Sequence, residues 1–150
     1  MSIGLESKVN VAGYSGTPLG KKLGLCDGQV ALLLDVPVHL QEIAVFPGFA
    51  HLATAIEGKA SRRFDYVHSF NTERPRLEAQ AAALADQLKP NGMLWISWPK
   101  RASGVATTLT EDALRDIFLP LDLVDVKVCA VDAMWSGLKF MFRKEVRASL

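Results

Sequence analysis

Several things are scarce in this sequence, and each scarcity excludes something. There are only two cysteines, Cys26 and Cys129, far apart and in no CxxC pair, so neither a disulfide framework nor a structural zinc site is expected. Both read as small buried hydrophobes. A surplus of charge of one sign is also missing. Seventeen basic against sixteen acidic residues leave a formal charge of +1, so no net field draws the chain toward nucleic acid or an anionic membrane. No apolar run approaches the length of a membrane span. The start, "MSIGLESKVNVAG", lacks a charged region followed by an apolar one, which reads as a cytoplasmic protein without a secretory leader. No histidine pair has metal-ligand spacing, no serine lies in G-x-S-x-G, and no metal site is expected. Finally, no glycine stands between Gly28 and Gly48.

The 150 residues that are present suit one domain, with residues 1–12 as a loose arm. "GYSGTPLGKKLG" offers a helix start at Thr17-Pro18 and a stop at Gly24. It is not a phosphate-binding loop: Gly16 and Gly20 enclose three residues rather than four, and Lys22 stands where a Ser or Thr is needed. "QVALLLDV" is apolar on both parities, as a strand covered on both faces should be. The path of 37–62 stays open. "VHLQEIAV" can turn as a helix, and "AHLATAI" can be a strand or part of a helix.

"RFDYVHSF" reads as a strand, and "TERPRLEAQAAALADQLKPNG" as a helix with Leu77, Ala81, Leu84 and Leu88 on one face, stopped at Pro90 to Gly92. "GMLWISW" is another strand buried on both faces. Thr110 is placed to cap a further helix, with Leu109 and Leu114 spaced as a hydrophobic staple. In "LVDVKVCAV", Val124, Val126 and Val128 are expected on one face and Asp125 and Lys127 on the other. "GLKFMFRK" alternates likewise, so the two form an antiparallel hairpin near the sheet's edge.

The expected fold is therefore an α/β, three-layer, Rossmann-like sandwich. Its sheet is mostly parallel and ends in an antiparallel hairpin, with strands near 29–35, 51–56, 64–70, 93–98, 123–131 and 137–143.

In open α/β sheets, ligands bind beyond the carboxyl ends of the strands, where the strand order reverses. The residues expected there are Asp35 and Pro37 after the first strand, His68, Ser69 and Asn71 from "HSFN", and Trp98, Pro99 and Lys100 from "SWPK". Together they would supply an acid, an imidazole, an amide and an ammonium. The bland alternative gives Asp35 and Asn71 to turns and His68 to a strand end. "KRASGVATT" could hold an anion through Lys100 and Arg101, through Ser103, Thr107 and Thr108, and through a turn at Gly104. Glu111 and Asp112, at the following helix end, would oppose it. Trp135, in the loop of the final hairpin, could cover the sheet edge, line a crevice or anchor a partner subunit.

The order "FDYV", "LKPNG", "GMLWISW" and the closing antiparallel pair resembles a reduced class I methyltransferase-type Rossmann fold. That resemblance implies S-adenosylmethionine as cofactor, which needs a glycine-rich turn after the first strand. "DVPV" stands there instead, so ordinary binding of that cofactor is not expected. "GYSGTPLGKKLG", "SWPKRASGVATTLTEDALR" and "LVDVKVCAVDAMWSGLKFMFRK" also resemble, in this order, an uncharacterised bacterial family of small domains of unknown function. Thr108 departs from that family's "TDLTE" pattern, which carries an acidic residue there. The resulting expectation is a domain that binds a small ligand or a protein partner without S-adenosylmethionine-dependent catalysis. Two alternatives stay open: an enzyme of the same shape acting on a small anionic substrate, with Lys100 orienting it and His68 or Asp35 moving protons, and a homodimeric interaction module.

Overall fold

The computed structural model describes residues 18–58 and 60–150. The Thr17 cap and the 1–12 arm lie outside these. Among the described residues six strands form one sheet: β1 (Val30–Leu34), β2 (His51–Ala53), β3 (Phe64–Phe70), β4 (Leu88–Pro99), β5 (Leu123–Ala130) and β6 (Trp135–Phe142). Their spatial order is β2-β1-β3-β4-β6-β5. The first four run parallel, while β6 is antiparallel to both β4 and β5. The strand order reverses between β1 and β3, which makes that gap the topological switch point.

Helices α3 (Arg74–Gln87) and α4 (Glu111–Phe118) cover one face. Leu77, Ala81 and Leu84 of α3 and Leu114, Ile117 and Phe118 of α4 pack there on Leu32, Val67, Ile96, Leu138 and Phe140. The Thr110 hydroxyl accepts the Ala113 N–H at 3.0 Å, and the Leu109–Leu114 staple is fully buried. The one-turn helices α1 (Leu19–Lys22) and α2 (Gln41–Ala44) lie on the opposite face. Leu23, Leu40 and Ile43 pack there on Ala31, Leu33, Tyr66, Phe70 and Trp95. Gly24, with φ +79°, ends α1 in the left-handed conformation that favours glycine. A short helix, α5 (Lys144–Arg147), closes the chain.

Some expectations needed correction. β2 has three residues rather than six, and Cys26 is exposed while Cys129 is buried. β4 begins at Leu88, not Met93. The partner of Phe64 is Leu88 and that of Tyr66 is Met93, so Lys89–Gly92 bulge out between the two pairs. A second bulge, at Val126, breaks the alternation expected of β5. Asp125 stands opposite Phe140, whereas Lys127 stands opposite Lys139, so Val124 and Val128 end on opposite faces.

Candidate functional site

The carboxyl ends of the strands hold three separate arrangements rather than one crevice. At the switch point, Asp35 leaves β1 with φ 58°, a left-handed conformation that asparagine and aspartate tolerate better than most residues. Arg76, in the first turn of α3, donates from Nη2 to Asp35 Oδ2 at 3.0 Å. Both side chains are about half exposed. Nearby, Asn71 is almost fully buried at the end of β3. Its Nδ2 donates to Ser69 Oγ at 2.8 Å, while its Oδ1 is buried with no partner among the described residues. The loop from Asp35 on then reaches across the ends of β3 and β4, where His39 Nε2 lies 2.7 Å from Asp132 Oδ2 in the β5–β6 turn. Burial raises the Asp132 carboxyl, but the hydrogen bonds from His39 and from the Trp135 and Met134 N–H groups outweigh it and hold it below its ordinary value.

The second arrangement is a sealed polar thread. His68 is completely buried on the α1 side of the sheet. Tyr66 Oη lies 3.0 Å from its Nδ1 and Ser97 Oγ 2.7 Å from its Nε2. The ring stacks on Phe70 at 4.5 Å. Burial lowers its pKa from 6.5 to about 3, so the ring is neutral and uses both nitrogens internally. Burial likewise pushes the Tyr66 hydroxyl above its ordinary value. Gly137 makes room for the thread, since a methyl there would come within 3.1 Å of Trp95 and 3.2 Å of Ser97 Oγ.

The third is an open cleft of about 510 Å³ beyond the end of β4, with Trp98, Arg101, Gly104, Thr107, Leu109 and Glu111 on its wall. Gly104 has φ +75° and closes a 3-10 turn over Arg101–Ser103. The hydroxyls that the sequence offered to an anion are spent on backbone groups of this loop and of the β3–α3 junction. Ser103 Oγ donates to the Lys100 carbonyl at 2.6 Å and accepts the Val105 N–H at 3.1 Å. Thr107 Oγ1 donates to the Thr72 carbonyl at 2.6 Å and accepts the Leu109 N–H at 3.0 Å. Thr108 Oγ1 accepts the Arg74 N–H. Glu111 pairs with Arg115, and Arg101 has no ion-pair partner among the described residues.

Of the residues read from the sequence, Trp98, Pro99, Arg101, Gly104 and Thr107 meet at this cleft. Ser103 belongs to its turn but not its wall, and the Lys100 N–H donates to the Met134 carbonyl at 2.7 Å. Asp35 and Asn71 sit at the switch point, and His68 is sealed inside the opposite face. The imidazole and the acid therefore do not converge on a common substrate with Lys100. Trp135 is the first residue of β6, opposite Pro99, and its ring packs edge-on against Phe70 at 5.1 Å. Arg76 was missed. Its one signal is a cation in a helix's first turn, where the dipole disfavours it unless an outside acid compensates. Among the described residues no three His, Cys, Asp or Glu side chains group to hold a metal ion, and no helix is long and apolar enough to cross a membrane.

By its fold this arrangement is Rossmann-like and similar to that of methyltransferases. A methyltransferase from Aquifex aeolicus, described as S-adenosylmethionine-dependent, superposes with a TM-score of 0.58 over 82% of this chain and 87% of its own, at 14% identity. The ribosomal protein L11 methylase of Lactobacillus delbrueckii subsp. bulgaricus gives 0.59 over 83% and 75%, also at 14%. Magnesium protoporphyrin IX methyltransferase from Synechocystis, solved with bound S-adenosylmethionine, gives 0.55 over 83% and 74%, at 12%. At such identities the likeness is one of fold. No protein-family model matches the chain, and no curated protein does.

Proposed function

We propose that this chain is a methyltransferase-type Rossmann domain that binds a small ligand in the cleft at the end of β4, without ordinary S-adenosylmethionine-dependent catalysis. The observation that carries this reading is the exit of β1. A cofactor laid over that turn needs glycines for the backbone to approach it closely. Here the turn is Asp35-Val36-Pro37-Val38, the left-handed position is held by Asp35, and its carboxylate is bonded to Arg76 across the switch point. These residues do not fit the cofactor. The β4 cleft, by contrast, has space, a tryptophan wall and an arginine with no described ion-pair partner. Those features suit a small planar anion such as an aromatic carboxylate.

Calorimetric titration and thermal unfolding test the reading. S-adenosylmethionine and its demethylated product are expected to give no saturable heat and no rise in Tm. Benzoate, used as the planar anion, is expected to raise the Tm of the wild type and not of Arg101→Ala, because a ligand bound only to the folded state stabilises it. Saturable binding of S-adenosylmethionine would overturn the first part. A benzoate response unchanged by Arg101→Ala would overturn the second.

A further inference from the structure

The outer edge of β5 has a chemistry of its own. β5 ends the sheet and pairs only with β6, so along its other side a row of backbone N–H and C=O groups has no strand beside it among the described residues. The bulge at Val126 gives this edge two unlike faces. On the α1 side, Lys127 stands directly opposite Lys139, and like charges so placed destabilise a sheet. Lys127 Nζ donates to the Lys22 carbonyl at 3.1 Å and Lys22 Nζ to the Ala130 carbonyl at 3.2 Å, which adds a third ammonium to the group. None of the three lysines is in an ion pair among the described residues. Partial burial and then Lys127 hold the Lys139 ammonium below its ordinary value. On the opposite face Val128 faces Leu138 and is half exposed, as is Val126 at the bulge. The acid on that face, Asp125, is already taken by Arg115 at 3.1 Å.

We propose that the β5 edge docks an extended segment of a partner protein in which acidic and apolar residues alternate. The segment adds a strand to the sheet. Its acids lie over Lys127, Lys139 and Lys22, and its apolar side chains lie over Val128. Alternation is required because successive residues of a strand point to opposite faces. Charge argues against a second copy of this chain as the occupant. Two β5 edges paired antiparallel would keep each face continuous and set lysine against lysine. Nucleic acid is disfavoured because these three lysines have neither an arginine nor an exposed aromatic ring among them on which bases could stack, and it would leave Val128 unused.

Fluorescence anisotropy of the full chain with a labelled peptide alternating glutamate and valine tests the proposal. The peptide is expected to bind, more weakly as salt rises, while a peptide alternating lysine and valine does not. The double variant Lys127→Glu with Lys139→Glu should lose about tenfold or more in affinity, since it sets like charge against the acids. Val128→Asn should also weaken binding, a change that simple charge attraction would not feel. Hydrogen exchange should show new protection of β5 amides when the glutamate peptide is present. Circular dichroism and Tm confirm that these partly exposed substitutions leave the fold intact. The proposal fails if the wild type does not bind the glutamate peptide, if the lysine peptide binds equally, or if charge reversal has no effect. It also fails if a single-stranded oligonucleotide binds more tightly than the peptide.

Discussion

The two faces of the sheet are built on different physics. The face under α3 and α4 is apolar almost throughout, from Leu32 and Val67 to Phe118 and Phe140. The face under α1 and α2 is aromatic and carries polar groups at full burial. These are the Tyr66–His68–Ser97 thread and the Trp95 Nε1–H, which donates to the Leu23 carbonyl at 2.8 Å. Apolar packing tolerates errors gradually, because each lost contact is small. A buried polar thread adds little while complete but becomes expensive once a member is missing. The first face is therefore specified by how well it is filled. The second is specified by which atoms meet, and one of those meetings ties α1 to the sheet.

Phe118→Ala measures the filling on the first face. Phe118 is fully buried, with its ring 5.1 Å from that of Phe140. Its loss is expected to cost about 3–5 kcal/mol in denaturant unfolding, with little change in m. A cost below about 1 kcal/mol would mean that this face collapses around the hole and is not tightly specified.

On the second face, His68→Phe keeps the stack on Phe70 and strands both Tyr66 Oη and Ser97 Oγ. The expected cost is about 1–3 kcal/mol for each buried group left unpaired. Adding Tyr66→Phe and Ser97→Ala should recover most of it, because no polar atom of the thread then remains. If the triple variant is no more stable than the single, the thread is not a unit and the contrast between the faces dissolves. Acid adds a second readout. The folded pKa of His68, about 3, lies below its ordinary 6.5, so the unfolded chain takes up the proton more readily. The contribution of His68 is complete above pH 6.5 and is lost as pH falls from there toward 3, at up to about 1.4 kcal/mol per unit. The triple variant should lose that part of the slope.

The same contrast decides what was legible in the sequence. Periodicity alone exposes α3 and α4, because Leu77, Ala81, Leu84 and the Leu109–Leu114 staple are local patterns. The carboxyl-end rule brings Trp98 and Pro99, and the anion reading of "KRASGVATT" brings Arg101, Gly104 and Thr107, to one cleft. It fails for His68, because nearness to a strand's end does not say which way a side chain points. Alternation does say: Tyr66, His68 and Phe70 share a face, and the two aromatic neighbours mark it as interior. Arg76 on Asp35, and Lys127 opposite Lys139, depend on long-range pairing and on a bulge that no local pattern announces. Residues 37–62 stayed open for a related reason. α2 and β2 are too short to show a period, and packing against other parts of the chain holds them.

The smallest expected effect lies on the apolar face, where one polar contact is local. The Thr110 hydroxyl caps α4 by accepting the Ala113 N–H at 3.0 Å, and the side chain is exposed. In Thr110→Ala, water can reach the freed N–H, and the Leu109–Leu114 staple stays buried beneath. The loss should therefore be about 1 kcal/mol, as is usual for a helix cap. It should appear as faster hydrogen exchange confined to the first turn of α4, with no change in acid sensitivity. If Thr110→Ala instead cost as much as Phe118→Ala, the first face would depend on polar geometry as the second does. α4 would then be held at its end rather than along its length.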